Sequence, residues 1–525
     1  MRLVTCVFLC LVLATYGFVG LDESQSFAAA SDNIAHVKQL VYEDVTGDGA
    51  NQGTDLEFAT LTLSGRSVAE LARRSGERPR QGGLGDADPD TPGIQRTYAF
   101  AGSYDNGLQI IDVTDPARAE IVAVYGCGIS QGDVQVFSRD SDPGRTFVTY
   151  TQDDGYGTHE SQCIDEAREL GLLEEGQAPA GTFIADVTDP YAPTTVSWVE
   201  VPKGSHNQTV HPSGRYLYNS NSDLIVSVPD QGIEVFDISD FGSPEHVTTL
   251  ALPVRPGLGT ESHDLTFNAD GTRAYSAALS QTVIIDTEDP ADPSIVSSFV
   301  DPAINVEHQA DPVTLEDPLL GERDFLVIED EVAGAVQTGQ CPNGGVHVYD
   351  ITGDLEENPV KVGYWNIAEI RKADGDLFGV ETAGGIGRCT AHVFELHPDE
   401  QLMTIAYYNG GVRVVDISGL VGVALGEQGI GMKQVAFARF ADADTWAVKA
   451  PYVDRDGTFH LYGNDQRRGM DIYEVDLSAA ADVAAAAVPT GTWMTPAEAL
   501  TFARANPVDL TDYTPYCLLG ARSGG

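Results

Sequence analysis

The chain has 525 residues, of which 79 are acidic and 30 are basic, so its formal net charge is -49. This balance excludes a nucleic-acid partner, because phosphate groups have to be met by lysine and arginine side chains. It is typical of a protein that stays hydrated in concentrated salt or collects cations, although a genome-wide acidic bias would produce it as well.

Residues 1–30 are predicted to be a secretory signal peptide. Arg2 supplies a short positive start, residues 3–19 are almost all apolar, and Ala28, Ala29 and Ala30 offer a small-residue cleavage site. The apolar run could alternatively remain as a membrane anchor. No later stretch is long and apolar enough to span, so we expect a secreted, extracellular or envelope-associated protein without a membrane span after signal removal.

The next segment, residues 33–42, alternates like a β-strand, and nothing beside it supplies a partner strand. Further along, residues 107–116 read G-L-Q-I-I-D-V-T-D-P, and six similar stretches follow. In most copies a glycine precedes about five β-prone residues, an acid and a polar turn, which is typical of a strand that ends in a tight turn. The marker acids are Asp112, Asp186, Asp237, Asp286, Asp350, Asp416 and Glu474.

Self-similarity at this spacing indicates one supersecondary unit per repeat, so the length is accounted for by one large domain. The motif resembles the LVIVD repeat, which gives its name to a family of β-propellers, here of the secreted bacterial type. The resemblance covers nearly all of residues 31–477 and implies an all-β fold, a single seven-bladed propeller. It implies no activity, because the family is recognised by its scaffold.

Each repeat is predicted to form four strands, most clearly over residues 263–300, with a hairpin turn at Asn268. The last repeat lacks a fourth strand, so residues 33–42 are predicted to complete it and close the ring. Residues 66–93 are predicted to be a mobile polar loop within the first blade. Residues 478–525 are an alanine-rich tail with a short helix that starts at Thr495.

Most long insertions, at residues 152–180, 331–343 and 366–390, fall on one face of the predicted propeller, where we expect the working surface. Cysteines in an oxidising compartment are expected to form disulfides. The strand assignment puts Cys127 with Cys163, and Cys341 with Cys389, at loops of adjacent blades on this face. Cys517 is predicted to remain unpaired.

Four successive repeats begin their innermost strand with histidine, at His206, His263, His308 and His392. The first and last share a H-x-x-x-x-H-P frame, in which His211 and His397 are predicted to be turn residues. The four are expected at the insertion-rich mouth of the central channel. Because neutral imidazole binds zinc, copper and iron, they are predicted to hold one divalent transition metal: copper, iron, zinc or manganese.

An alternative is that these histidines only hydrogen-bond loop backbone. If they bind a metal, Glu261 and Glu307 are predicted to orient their rings from outside the ligand set. Asp55 and Asp133 occupy about the same position in two other blades and belong to the same candidate group.

Two functional hypotheses follow. In the first, the chain is a monomeric extracellular binding module that takes a small molecule or a surface ligand at the channel mouth. In the second, it is a metal-dependent enzyme, an oxidoreductase or less readily a lyase. It is also similar, more faintly, to two propeller families with inner-strand histidines: the selenium-binding/methanethiol oxidase family, which uses copper, and the carotenoid oxygenases, which hold iron with four histidines. Only the ring of histidines is shared, so no reaction or catalytic residue follows.

The sequence has no phosphate-binding glycine loop and no Cys-x-x-Cys pair. With no acid–base or nucleophile set beyond the histidines, the binding module is the favoured hypothesis.

Overall fold

The computed structural model describes residues 27–42, 52–74, 93–104, 106–128, 131–152, 161–174, 176, 180–201, 204–221, 232–255, 259–331, 344–367, 390–421 and 431–478. Within these ranges the chain forms seven antiparallel sheets and two short α-helices. The predicted tail helix, Cys341, Cys389 and Cys517 lie outside the described residues.

Each sheet is one blade, so the predicted seven-bladed all-β propeller is confirmed. Two N-terminal strands precede the blades: β1 (Ala29–Ala30) and β2 (Ile34–Leu40). Blade 1 contains β3 (Gly53–Leu63), β4 (Ile94–Ser103), β5 (Leu108–Asp112) and β6 (Glu120–Tyr125). Blade 2 contains β7 (Gln131–Phe137), β8 (Phe147–Gln152), β9 (Gly181–Asp186) and β10 (Thr194–Glu200).

The next three blades follow the same order. Blade 3 contains β11 (Asn207–Val210), β12 (Tyr216–Ser220), β13 (Gly232–Asp237) and β14 (Glu245–Ala251). Blade 4 contains β15 (Asp264–Phe267), β16 (Arg273–Ala277), β17 (Thr282–Asp286) and β18 (Ser294–Phe299). Blade 5 contains β19 (Glu307–Asp317), β20 (Gly321–Asp330), β21 (Gly345–Asp350) and β22 (Val360–Trp365).

Blade 6 contains β23 (His392–His397), β24 (Leu402–Ala406), β25 (Val412–Gly419) and β26 (Gly431–Arg439). Blade 7 contains β27 (Thr445–Lys449), β28 (Thr458–Asp465) and β29 (Gly469–Asp476). The first strand of every blade contacts the first strand of the next, and β27 contacts β3, so the seven inner strands surround one channel.

The N-terminal strands close the ring. β2 pairs with β29 as the outer strand of blade 7, with Ile34 opposite Val475, which confirms the predicted closure. β1 pairs with β26 as a fifth strand of blade 6, and the ring of Phe27 lies 4.9 Å from that of Phe440. β1 falls within residues 1–30, the range assigned above to the signal peptide.

The repeated motif is the third strand of each blade, and its acid has a structural role. In blade 1, Asp112 Oδ1 accepts a hydrogen bond from the Thr114 backbone N–H at 3.1 Å, and its other oxygen pairs with Arg96. The same turn and an arginine partner recur at five later acids, which are Asp186, Asp237, Asp286, Asp350 and Asp416. Each acid therefore stabilises a tight turn and neutralises one arginine.

The predicted mobile loop over residues 66–93 is wrong in its first part, because α1 occupies Gly65–Arg74. Val68 and Leu71 pack against the apolar cluster between blades 1 and 2, and Arg74 donates to the Val122 carbonyl at 2.6 Å. Tertiary packing thus stabilises a helix of polar composition. Residues 75–92 lie outside the described ranges.

A second helix, α2 (Gln162–Glu169), lies in the insertion of blade 2. Cys163 on this helix forms a disulfide with Cys127, as predicted, with 5.2 Å between their Cα atoms. Within the described part of the chain, neither helix has the length and apolar character needed to cross a membrane.

Candidate metal centre

The four histidines predicted to converge do lie side by side. Their ring centroids are 4.3 Å apart from His206 to His263, 4.1 Å from His263 to His308 and 4.3 Å from His308 to His392. Their exposed fractions are between 0 and 4%. All four histidine rings are therefore buried.

Two of the rings are tied to the neighbouring blade through main-chain carbonyls. His263 Nδ1 lies 3.1 Å from the His308 oxygen, and His392 Nδ1 lies 2.7 Å from the Trp446 oxygen. A carbonyl oxygen only accepts, so both Nδ1 atoms carry the hydrogen and each Nε2 keeps its lone pair when the ring is neutral. A purely structural role would also produce these bonds.

A glutamate that the sequence analysis missed adds the decisive contact. Glu331 directly follows β20 and is fully buried. Its carboxylate lies 3.9 Å from His308 Nε2 and 4.0 Å from His392 Nε2, and the three ligand atoms fall within 4.8 Å of one another. Atoms bound to one ion at about 2.0–2.2 Å can be up to about 4.4 Å apart, so these two separations are compatible with a shared ion.

The surroundings keep the donors in a form that can bind a metal. Burial lowers the pKa of His263 and of His308 well below the usual value, and the adjacent imidazoles lower it further, so both rings are neutral at neutral pH. Tyr408 donates to Glu331 Oε1 at 2.9 Å and fixes that carboxylate. Trp446 and Tyr408 enclose the His392 ring, at 4.5 and 4.6 Å between centroids.

Two buried glutamates were predicted to orient the histidines, Glu261 and Glu307. Glu307 is held by Thr282, whose hydroxyl donates to it, and burial raises the pKa of Glu307 to about 8. Glu261 is buried in the segment just before His263.

Asp55 lies 3.1 Å from the Lys449 ammonium, and Asp133 accepts a hydrogen bond from the Gln208 backbone N–H at 3.3 Å. In blade 1 the residue equivalent to His263 is Thr54, because Thr54 makes the corresponding hydrogen bond to the next blade, at the Gly132 carbonyl. Asp55 and Asp133 therefore each lie one residue beyond the histidine position.

Three of the four histidines line one end of a cavity of about 860 Å³ that follows the central channel. His263, His308, His392 and Trp446 line it, whereas His206 does not. Residues one and three positions beyond the histidine position face the cavity, as the two-residue period of a strand requires. The lining contains one lysine, Lys449, and eight acids, which are Asp55, Glu57, Asp133, Asp264, Asp311, Glu322, Glu395 and Asp399.

Of the two histidines predicted to be turn residues, His211 directly follows β11 and precedes a turn, whereas His397 is the last residue of β23. His211 contacts the Ser213 hydroxyl and the Gly271 carbonyl, both at 2.9 Å. His397 Nε2 lies 3.3 Å from Glu395.

No protein-family model matches the sequence, and no curated protein matches it. Among solved structures, the chain is similar to the periplasmic gluconolactonase PpgL of Pseudomonas aeruginosa, with a TM-score of 0.48, 12% identity, and coverage of 75% of this chain and 94% of that one. It is also similar to the β-propeller domain of Myceliophteria thermophila Cps50 (Swd1), with a TM-score of 0.42, 10% identity, and coverage of 72% and 92%.

A third similar structure is a functionally unknown protein from Desulfotomaculum acetoxidans, with a TM-score of 0.38, 14% identity, and coverage of 61% and 80%. At these identities and TM-scores, none of the three bears on the function of this chain.

Proposed function

We propose that the chain is a secreted LVIVD-repeat propeller that binds one divalent transition metal ion inside its channel and acts as a binding module for a small ligand. The observation that carries this proposal is the convergence of His308, His392 and Glu331. Two imidazoles and a carboxylate suit zinc, copper, iron or manganese.

Charge supports the same ligand set. Glu331 and its neighbour Glu329 are both fully buried beside His308. Burying carboxylates is expensive unless positive charge is supplied nearby, and a divalent ion among these side chains supplies it. His263 borders this set and the cavity, so it is the candidate for a fourth ligand, whereas His206 lies behind it.

The binding role rests on the cavity that reaches the histidines. Its volume of about 860 Å³ suits a small molecule. An ion with three or four protein ligands can keep a coordination position for such a molecule. The ligand would therefore be recognised jointly by the ion and by the polar channel wall.

A metal-dependent enzyme is the second candidate, and Asp311 on the channel wall favours it. Burial raises the pKa of Asp311 to about 7, which suits a general acid or base at neutral pH. The wall and the ion together could then act on a bound molecule, with oxidoreductase or lyase chemistry as the expected classes.

Elemental analysis of the purified full-length protein tests the proposal. We expect about one equivalent of transition metal per chain in the wild type, and little in His308→Ala. The matched control, His397→Ala, should retain the ion. Absence of zinc, copper, iron and manganese even after reconstitution would contradict the proposal. Copper or iron that cycles reversibly between oxidation states would instead favour the enzyme.

A further inference from the structure

The proposed centre contains a second glutamate with a separate position. Glu329 and Glu331 flank Asp330 at the end of β20, and alternate residues of an extended chain face the same side. Both glutamates contact His308. Asp330 instead accepts hydrogen bonds from the backbone N–H groups of Asn305 and Val306, each at 3.0 Å. The end of β20 thus directs two carboxylates at one histidine.

The two glutamates contact opposite nitrogens of that ring. Glu329 Oε2 lies 2.9 Å from His308 Nδ1, whereas Glu331 lies on the Nε2 side. Among the residues that the structure describes, His308 is the one ion-pair partner of Glu329, and the approach is close although it does not meet hydrogen-bond geometry at either Glu329 oxygen.

We infer that Glu329 is a positioning residue of the metal centre, which holds the hydrogen of His308 on Nδ1 and points its Nε2 lone pair at the ion. The inference rests on the proposed function. A carboxylate at the outer nitrogen of a metal-bound imidazole fixes the ring orientation and raises its basicity. His263 and His392 have neutral carbonyl oxygens in this place, so among these three rings His308 is the one whose Nδ1 lies beside a carboxylate.

The matched control is Glu307, which the sequence analysis had assigned to this role. It is equally buried, lies on the paired strand β19 and contacts Thr282 rather than a histidine ring. Glu329→Gln and Glu307→Gln therefore make the same substitution in the same blade, and only the first makes it beside the His308 ring.

The experiment titrates Zn²⁺ into the metal-free full-length protein and records the visible spectrum of the Co²⁺-loaded form. Glu329→Gln should weaken Zn²⁺ binding about 10- to 100-fold and shift the Co²⁺ bands. Glu307→Gln should change the Zn²⁺ affinity less than about twofold and leave the Co²⁺ bands in place. The Glu307 side chain contacts Thr282 rather than the His308 ring, so it does not affect how strongly His308 binds a metal.

If Glu329→Gln does not fold, ¹⁵N NMR of histidine-labelled wild type decides the question, with His308 assigned by loss of its signals in His308→Ala. The Nδ1–H tautomer supports the inference, and the Nε2–H tautomer overturns it. Unchanged Zn²⁺ affinity in Glu329→Gln would overturn the inference and leave the proposed function intact. A wild type that binds neither Zn²⁺ nor Co²⁺ would overturn both.

Discussion

The inner strands place two groups of side chains at different depths of the channel, which we call the histidine level and the acid level. The two levels differ in how their side chains are hydrogen-bonded. At the histidine level, the rings of His263 and His392 are bonded through Nδ1 to main-chain carbonyls of the next blade. At the acid level, one to three residues further along, side chains bond to side chains: Thr266 donates to Asp311 at 2.6 Å, and Lys449 lies 2.6 Å from Glu57. The repeated strands can thus place metal-binding side chains and buried charged side chains within three residues of each other.

Positive charge is not distributed evenly around the channel at the acid level. On one side Lys449 neutralises Asp55 and Glu57, and these carboxylates hold the pKa of Lys449 well above its usual value although burial opposes this. On the other side, burial raises the pKa of Asp133, Asp264 and Asp311, with neighbouring carboxylates adding to the effect. The lysine of the cavity lining thus lies on one side, and even there burial raises the pKa of Glu57 to about 7.

The largest effect is expected from removing that base. Lys449→Met leaves Asp55 and Glu57 as buried charges without their cation, which should lower the free energy of unfolding by about 3–5 kcal/mol at pH 8. The loss should shrink toward pH 5, because the stranded carboxylates then take up protons. Urea unfolding at both pH values measures it, with Lys433→Met, half-buried on the outer strand of blade 6, as the control. Equal losses in the two variants would show that the ion pair is unimportant.

The fold was predictable because the repeat has a physical reason. The motif acid must accept from the turn backbone and pair with an arginine, so it persists in six blades while the strands around it vary. The histidines were predictable in register for a similar reason, since the shared frame from His206 to His211 and from His392 to His397 leaves no freedom of alignment.

The parts of the site that could not be predicted depend on how neighbouring strands pair. β19 is bulged between Glu307 and Gln309, which shifts the pairing that brings Glu329 and Glu331 onto His308. Similar bulges lie at residues 53–56 and 131–134, next to Asp55 and Asp133, whose level was misjudged by one residue. An extra residue in a strand leaves no reliable mark in a sequence, so the second-strand glutamates could not be connected to the histidines in advance.

The next effect distinguishes the two ends of one inner strand. His392→Ala removes a proposed ligand and should weaken metal binding by more than about 100-fold, beyond the loss expected for an outer partner. His397→Ala, five residues along, should change it less than twofold, because that ring contacts Glu395 instead. Isothermal titration with Zn²⁺ compares them, and similar losses would mean that the histidine level has no special chemistry.

A smaller effect concerns the protons of the acid level. Asp311 has a folded pKa of about 7, above its value in the unfolded chain, so the folded state binds the extra proton and loses stability as pH rises toward 7. Asp311→Asn is free of this penalty: its amide can donate to the Thr266 hydroxyl and accept from Gln309.

The free energy of unfolding of Asp311→Asn, relative to wild type, should therefore rise by on the order of 2 kcal/mol between pH 4 and 7 and stay constant above pH 7. This is less than the whole pKa shift would give, because water that enters the site reduces the penalty. Unfolding free energies across this range measure the gain. Asp270→Asn, at an exposed turn where hydrogen bonds from Thr272 lower the pKa, should show no such gain. A gain of opposite sign would mean that Asp311 is ionised in the folded protein.

The smallest difference lies within the histidine level and decides how many rings share the ion. His263 lines the cavity beside His308, whereas the ring of His206 is separated from His308 by that of His263. We expect His263→Ala to weaken Zn²⁺ binding about 10-fold, as for a group at the border of the ligand set, and His206→Ala less than about threefold. Losing the buried His206 ring should instead appear as a lower unfolding temperature, because it leaves a cavity between blades 3 and 4. Equal, large losses of affinity in both variants would restore the four-histidine site that the repeat alignment predicts, with Glu331 then acting from outside it.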